Sequence, residues 1–287
     1  MLGKQRWNIW PRRRRIPLRC HDAGAARWVT APRRRDDIVC PVLTVSTFNI
    51  WFDAYFADER YRALADLLAA HPADVMVFQE VTDRALDVLL AQPWIRRDYA
   101  AAAVTGRRVG NYGMLLLSRI PLSQVTYTRL PTAAHRGFLT AVLISGGTET
   151  VLCSVHLDSG KRNSALRARQ FREIDAEFAH ADDVVLLGDF NMRDDENSRI
   201  TAPWCDVWPA LRAPEPGFTE DTSINHMRFD ATGKERFVRF DRVLVKGEQW
   251  RPDSVELIGT EPISPAHPRV FPSDHFGLRC VLVRNTG

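Results

Sequence analysis

Several strand-like apolar segments are followed directly by polar residues of the types that hydrolyse phosphoesters. Side chains at the ends of neighbouring strands converge on one cleft, so these clusters predict a single site. A last cluster directly precedes the final strand-like segment and is expected to join them. The candidate residues are Asn49, Gln79, Glu80, His156, Asp189, Asn191, Asp241, Ser273, Asp274 and His275.

Hydrolysis of a phosphodiester needs a hard cation that offsets charge on the nonbridging oxygens. Mg²⁺ suits this task because it binds to one or two carboxylates and keeps several waters. We expect Glu80 to be the first metal ligand, with Asn49 beside it. Mn²⁺ is the alternative ion.

The attacking water also needs a carboxylate that is close to the phosphate and not consumed by the metal. Asp189, or the pair Asp274 and His275, could serve as this base. Asn191, His156 and His275 are candidate donors to the phosphate oxygens, on which negative charge grows in the transition state.

Each candidate also has a purely structural interpretation. Asn49 could be a turn residue, Glu80 could cap the next helix, and His156 could be a hydrogen-bonded core histidine. Taken singly, most of these residues fit the structural interpretation. Six such clusters in one chain favour a functional site.

The segments that position these residues predict an α/β (α+β) fold. A strand is expected over residues 42–50, a helix over 57–70 and a second strand over 74–81. A long helix is expected over residues 163–180, and Gly146-Gly147 predicts a hairpin turn. Further strands are expected near residues 112–117, 138–145, 150–156, 184–187, 238–245, 254–258 and 278–283. Together they predict a four-layer sandwich of two packed mixed β-sheets flanked by helices.

Charge is distributed unevenly along the 287 residues, whose formal net charge is +4. Residues 1–40 hold eleven basic and three acidic residues, a net charge of +8, and the remainder carries −4. Residues 1–40 show no sustained apolar period and predict a flexible basic arm, which could recruit a polyanion or be a passive leader. The catalytic domain is expected to span residues 41–287.

Composition excludes several classes of protein. Hydrophobic residues make up 45% of the chain, enough for a full core, and no segment has the roughly 18 uninterrupted apolar residues of a membrane span. The five cysteines are scattered without a CxxC pair, so we expect free thiols. We expect a cytoplasmic monomer that makes no membrane contact.

The motifs TFNIW, FQEV, SVHLDS, LLGDFNMR, RFDRVLV and FPSDHFGL resemble, in this order, those of the endonuclease/exonuclease/phosphatase superfamily. The resemblance covers residues from about 42 to 283. Within the superfamily, the chain is most similar to the tyrosyl-DNA phosphodiesterases that act on DNA 5′ ends. Two positions depart from the pattern: Phe190 stands where Thr is usual, and Phe276 where Trp is usual.

The resemblance implies a role for each motif residue. It implies that Glu80 binds Mg²⁺ with Asn49 in the same network, and that Asp189 is the base. It implies that Asn191 orients the phosphate or the nucleophile and that His156 contributes to the same pocket. His275, supported by Asp274, would stabilise the transition state, and Asp241 would be an orienting residue.

The implied partner is a DNA end or another phosphodiester, and the implied activity is Mg²⁺-dependent phosphodiester hydrolysis in DNA repair. Candidate substrate contacts are Arg136, Phe218, Arg239, Arg242 and Phe276, by stacking and phosphate pairing. Packing is the alternative for the two aromatic residues, and a local ion pair is the alternative for Arg242. Three other functions stay open: an abasic-site or exonucleolytic DNase, an inositol or lipid phosphatase, and a non-enzymatic nucleic-acid-binding protein.

Overall fold

The computed structural model describes residues 11–32, 36–132 and 134–285. In these ranges the α-helices are α1 (Ala57–Ala70), α2 (Asp83–Leu90), α3 (Pro93–Asp98), α4 (Ser164–Glu177), α5 (Val207–Arg212) and α6 (Met227–Thr232). The strands are β1 (Arg13–Ile16), β2 (Arg19–Asp22), β3 (Arg27–Thr30), β4 (Val42–Asn49), β5 (Val75–Val81), β6 (Ala100–Val104), β7 (Gly113–Ser118), β8 (Val125–Arg129), β9 (Gly137–Ser145), β10 (Thr148–His156), β11 (Asp183–Asp189), β12 (Cys205–Asp206), β13 (Glu220–Asp221), β14 (Phe237–Val238), β15 (Asp241–Lys246), β16 (Trp250–Ile258) and β17 (Gly277–Arg284).

The strands form two large mixed sheets and one small one. Sheet A has the order β1-β8-β9-β10-β11-β15-β12, and sheet B has the order β16-β17-β4-β5-β7-β6-β2-β3. Val45 and Val77 of sheet B share one buried cluster with Leu139 and Val185 of sheet A. The two sheets therefore pack face to face, and β13 and β14 form a separate hairpin beside them.

Helices cover the outer face of each sheet. Leu64 and Leu68 of α1 lie on one helical face and pack in a cluster with Phe78 of sheet B. Phe171 of α4 packs in another cluster with Leu186 of sheet A. The predicted four-layer sandwich is confirmed.

The first forty residues differ from the prediction of a flexible arm. Residues 1–10 and 33–35 lie outside the described residues, but strand β1 pairs with β8 at the edge of sheet A, and β2 and β3 extend sheet B. The folded body thus begins before residue 41. The prediction of a flexible arm is therefore wrong for residues 13–30. The sequence did not indicate these strands because four residues are too few to show a clear apolar period. Ile16 is buried in the core, whereas Arg12 and Arg13 pair with Glu173 and Glu177 near α4.

Strand direction explains why the polar clusters meet. β4 runs parallel to β5, and β10 runs parallel to β11, so the carboxyl ends of each pair lie at one edge. β15 is antiparallel to β11, and β17 is antiparallel to β4, so their amino ends lie at that same edge. Among the described residues, no helix is long and apolar enough to cross a membrane.

Candidate active site

A cleft of about 570 Å³ opens at the edge of the two sheets where these strand ends meet. Its lining includes six of the predicted site residues and one predicted substrate contact: Asn49, Glu80, Asp189, Asn191, Asp274, His275 and Arg136. His156 and Asp241 are also buried and are hydrogen-bonded to residues of this lining. The structure therefore brings all the predicted metal and catalytic residues together.

Glu80 lies on an irregular part of β5. Pairing with β7 shifts register between Gln79 and Val81, and Glu80 has a φ of 60°, a left-handed conformation that is unusual for a residue with a side chain. Its Oε2 atom accepts a hydrogen bond from the Phe52 amide at 3.2 Å. Burial, reinforced by the charge of Asp274, raises the pKa of Glu80 to about 7. A bound cation would stabilise the buried negative charge of the Glu80 carboxylate.

The donors around Glu80 fit a hard divalent ion. Asn49 keeps an amide oxygen with a second lone pair, although that oxygen already accepts from the Trp51 amide at 3.1 Å. Asp274 is a second carboxylate on the cleft wall. Among the described residues, no three His, Cys, Asp or Glu side chains form a closed metal cage. An open set of one or two carboxylates suits Mg²⁺, which keeps much of its water.

Asp189 is held rigidly by two asparagines. Its Oδ2 atom accepts from Asn49 Nδ2 at 2.9 Å and from Asn191 Nδ2 at 3.0 Å, and its Oδ1 atom accepts from the Asn191 amide at 2.8 Å. Burial, with a further contribution from Asp241, raises the pKa of Asp189 to about 6. A carboxylate with a pKa near neutrality is suited to removing a proton from water.

His156 is neutral, and its tautomer follows from its partner. Arg136 Nη1 donates to His156 Nδ1 at 2.9 Å, and because a guanidinium only donates, the ring proton is assigned to Nε2. Burial, followed by the charge of Arg136, lowers the pKa of His156 well below its ordinary value. The buried Nε2 atom has no hydrogen-bond partner among the described residues and lies 3.5 Å from Asp189 Oδ2 and 3.7 Å from Glu80 Oε1. This N–H is therefore a buried donor without a partner in that part of the chain, beside two carboxylates of the cleft.

His275 carries a positive charge that is stabilised chiefly by Asp241. His275 Nδ1 and Asp241 Oδ2 are 2.7 Å apart. Burial alone would lower the pKa of His275, but Asp241 outweighs it and holds the pKa well above the ordinary value. The charge of Asp274 also raises the pKa of His275, after the larger contribution of Asp241, and it acts on Glu80 as well, so the expected support of His275 by Asp274 stays a prediction.

Two of the predicted substrate contacts are fully buried outside the cleft. Phe276 is 1% exposed and packs with Phe271 and Met227, so it belongs to the core. Arg242 is fully buried and donates to Asp206 at 2.8 Å, so its alternative, a local ion pair, is the arrangement found. The sequence left both alternatives open, because a buried aromatic residue or ion pair at a strand end looks the same in sequence as an exposed one.

Of the other predicted contacts, only Arg136 lines the cleft. Phe218 is half-buried and contacts the Phe237 ring, with 6.0 Å between centroids. Arg239 donates two hydrogen bonds of 2.9 Å to the carboxylate of Asp206. The two departures from the family pattern, Phe190 and Phe276, are both core residues, so neither removes a group from the cleft.

The sequence interpretation missed several residues of the cleft wall. Phe52 and Tyr112 stack at 4.4 Å between ring centroids, and neither stands in a recognised cluster. Arg193 is the last residue of the LLGDFNMR motif, a position that could have indicated it. The remaining wall residues that were missed are Trp51, Asp53, Ser159, Gly160, Glu220, Arg228, Ala231, Thr232, Arg236 and Phe240.

Comparison with known proteins places this site in a family. A model of the Endonuclease/Exonuclease/phosphatase family matches residues 46–275. Tyrosyl-DNA phosphodiesterase 2 of Mus musculus is 30% identical over 82% of this chain and 65% of that protein. The Homo sapiens protein of the same name is 30% identical over 84% of this chain and 68% of its own length. The chain thus spans about two thirds of the length of these relatives.

A solved structure agrees with the sequence relatives. The structure of D. rerio TDP2 complexed with single strand DNA product has a TM-score of 0.75 to this chain at 26% identity, and the match covers 85% of this chain and 99% of that one. The family match contains every strand end that lines the cleft, from Asn49 to His275. The predicted family is therefore confirmed: this chain belongs to the Endonuclease/Exonuclease/phosphatase family and is similar over most of its length to tyrosyl-DNA phosphodiesterase 2.

Proposed function

We propose that this chain is a metal-dependent phosphodiesterase that hydrolyses a phosphodiester at a DNA end, with 5′-tyrosyl DNA as its substrate. The observation that carries the proposal is the arrangement of Asp189. Two asparagines orient this buried carboxylate in a cleft that also presents Glu80 and the positively charged His275.

A divalent cation completes the charge balance of the cleft. The family is generally dependent on divalent metals. Glu80 would hold the ion, with Asn49 and Asp274 as its neighbours, and we propose Mg²⁺ with Mn²⁺ as an alternative. When bound, the ion supplies electrostatic stabilisation of the phosphate oxygens.

The side chains provide the remaining steps. Asp189 takes the proton of the attacking water, while Asn191 and Asn49 keep the Asp189 carboxylate in place. His275 and the His156 Nε2–H donate to the phosphate oxygens as their negative charge grows. A tyrosine phenol has a pKa of about 10, so its phenolate leaves with little help from a general acid.

The substrate is proposed from the relatives. The Mus musculus and Homo sapiens proteins are named for tyrosyl-DNA, and the D. rerio structure contains a single-strand DNA product. The same cleft geometry is compatible with the abasic-site nuclease and the inositol or lipid phosphatase as alternatives, because a fold does not determine a substrate. We also propose a cytoplasmic monomer.

One parallel assay tests the proposal. Purified protein with Mg²⁺ is offered a 5′-tyrosyl oligonucleotide, an abasic duplex and an inositol phosphate, with a chelator control for each. We expect release of tyrosine that requires the metal and exceeds turnover of the other two substrates. Preferential cleavage of the abasic duplex or the inositol phosphate would assign the chain to that alternative, and metal-dependent turnover of none would reject the enzyme.

A further inference from the structure

A buried cluster of one glutamate and two arginines forms part of the cleft wall. Glu220 on β13 is 3% exposed, and its Oε2 atom accepts from Arg236 Nη1 at 3.3 Å. The Nε atom of Arg228, on α6, lies 3.5 Å from Glu220 Oε1. All three residues line the cleft that contains Asp274 and His275. We call these three residues the Arg228–Arg236 cluster.

Main-chain contacts hold the cluster in place. Glu220 pairs with Val238 across the β13–β14 hairpin. Thr222 receives a hydrogen bond from the Arg236 amide at 2.9 Å, and its own amide donates to the Arg236 carbonyl at 3.0 Å. The cluster is therefore an organised part of the fold rather than a chance meeting of surface charges.

The cluster lacks a partner of negative charge among the described residues. Two guanidinium groups share one carboxylate, which leaves one excess positive charge. Within the same ranges, Glu220 Oε1 and Arg228 Nε are both buried without a hydrogen-bond partner. The side chains of Arg228 and Arg236 remain 31% and 25% exposed, so they can reach a ligand in the cleft. Arg228 Nε and Glu220 Oε1 face each other at 3.5 Å, and the exposed parts of the two arginines offer further donors to a bound anion.

The cluster also lies within electrostatic range of the reaction centre. Burial is the main cause that raises the pKa of Glu220, and the charges of His275 and Asp274 act on the same carboxyl in opposite directions. The cleft of about 570 Å³ is shared by both sets of residues. An anion on the cluster and a phosphodiester at Asp189 would therefore share one cleft.

We propose that the Arg228–Arg236 cluster is a second anion subsite, which binds a phosphate of the nucleic-acid strand next to the phosphodiester that is cleaved. Arginine forks match phosphate oxygens in bidentate geometry, and Glu220 is the positioning residue that orients both forks. This inference rests on the proposed function and deepens it: the enzyme prefers a polynucleotide to a substrate with a single phosphate.

The test compares two substrates that share the scissile bond. One is a nitrophenyl ester of a mononucleotide, with one phosphate, and the other is a single-stranded oligonucleotide with the same ester at its 5′ end. The variant Arg228→Gln/Arg236→Gln removes both forks. Because it leaves Glu220 buried without a cation, the variant Glu220→Gln/Arg228→Gln/Arg236→Gln is measured beside it as a cluster without formal charge. The matched control is Arg84→Gln/Arg97→Gln, which removes two exposed arginines outside the cleft.

We expect both cluster variants to show a decrease in kcat/KM that is at least about tenfold larger on the oligonucleotide than on the small ester. In both variants, the slope of log affinity against log salt concentration should become shallower by about 0.7 for each strand phosphate that is no longer bound. The control should keep the wild-type ratio of the two substrates. Equal decreases on both substrates, or no decrease on either, would overturn the subsite.

The failure of the proposed function is distinguishable. If the wild-type protein cleaves neither ester, the phosphodiesterase is rejected, and the subsite is then judged by fluorescence anisotropy of the oligonucleotide. Weaker binding and a flatter salt dependence in both cluster variants would support the subsite without catalysis. Tighter binding of an inositol polyphosphate than of the oligonucleotide would overturn the strand assignment.

Discussion

The Nδ1 atom of His275 lies 2.7 Å from Oδ2 of Asp241, and both side chains are buried. The two residues come from different sheets, because Asp241 begins β15 in sheet A and His275 precedes β17 in sheet B. The ion pair therefore fixes the ring that faces the cleft, and leaves Nε2 as its second donor.

Asp241→Asn should reduce kcat by about 10²-fold or more, because an amide cannot stabilise the imidazolium that assists the transition state. The measurement is steady-state hydrolysis of a nitrophenyl phosphodiester with Mg²⁺. Asp253→Asn, at an exposed position on β16, is the control and should keep wild-type turnover. Wild-type kcat in Asp241→Asn would show that His275 needs no carboxylate.

Asp189→Asn should lower kcat by about 10²- to 10⁴-fold, with a smaller change in KM, because a base acts in the transition state and not in ground-state recognition. Single-turnover kinetics at saturating substrate separate the two effects. A change that is confined to KM would remove Asp189 from the role of base.

Glu80→Gln should leave the fold intact and abolish metal-dependent turnover, because the amide matches the shape of the carboxylate but lacks its charge. Circular dichroism checks the fold, and a Mg²⁺ titration of activity checks the function. Near-full activity at low millimolar Mg²⁺ would contradict the metal assignment.

The same variant gives a pH-dependent stability difference without metal. Burial raises the pKa of Glu80 to about 7 from an unfolded value of 4.5, so the folded state loses stability as the pH rises between these values. With a chelator present and above pH 7, the free energy of unfolding of Glu80→Gln should exceed that of the wild type by about 3 kcal/mol. This difference should vanish near pH 4.5. Urea unfolding at about pH 5 and about pH 8 measures both. A difference that grows toward low pH has the wrong sign.

The buried ion pair of Arg167 and Glu196 should be needed for stability. Arg167 is fully buried on α4 and donates from Nε to Glu196 at 3.0 Å. Glu196→Gln should cost about 3 kcal/mol or more, because it leaves the guanidinium without a counter-charge. Urea unfolding compares it with Glu173→Gln, whose partners Arg12 and Arg169 are exposed. Equal stability of the two variants would argue against this account.

The strands before residue 41 should contribute to folding. Ile16→Asp places a charge in the core between the sheets and should lower the melting temperature by several degrees. Thr30→Asp, at an exposed position on β3, is the control. If Ile16→Asp melts like the wild type, residues 13–16 do not dock on sheet A in solution.

The site was more predictable than the elements around it. Glu80, Asp189 and His275 were found because polar residues at strand ends carry a chemical signal that does not depend on exact packing. The partner of His275 was not found, since Asp241 is 34 residues away and in the other sheet, so that only the packing of the two sheets brings it near.

Short strands were not predicted where the secondary-structure preference of their residues differs from the observed structure. Strand β6 reads Ala-Ala-Ala-Ala-Val, a composition that favours a helix, yet it pairs with β7 along its whole length. The arginines of residues 12–15 suggested a solvated arm, because the acidic partners of Arg12 and Arg13 are in α4, 161 and 164 residues away. Partner identity over such separations is a property of topology, not of local sequence.

The division of the cleft between the sheets has a consequence for reading mutational data. Glu80 and His275 approach from sheet B, while Asp189 and His156 approach from sheet A, so neither sheet alone holds a working set. The measured rate of turnover therefore depends on the fraction of molecules in which the two sheets are docked. Residues 13–30 join both sheets and do not line the cleft. A substitution there can reduce measured turnover by lowering the fraction of docked molecules, while kcat of each docked molecule is unchanged.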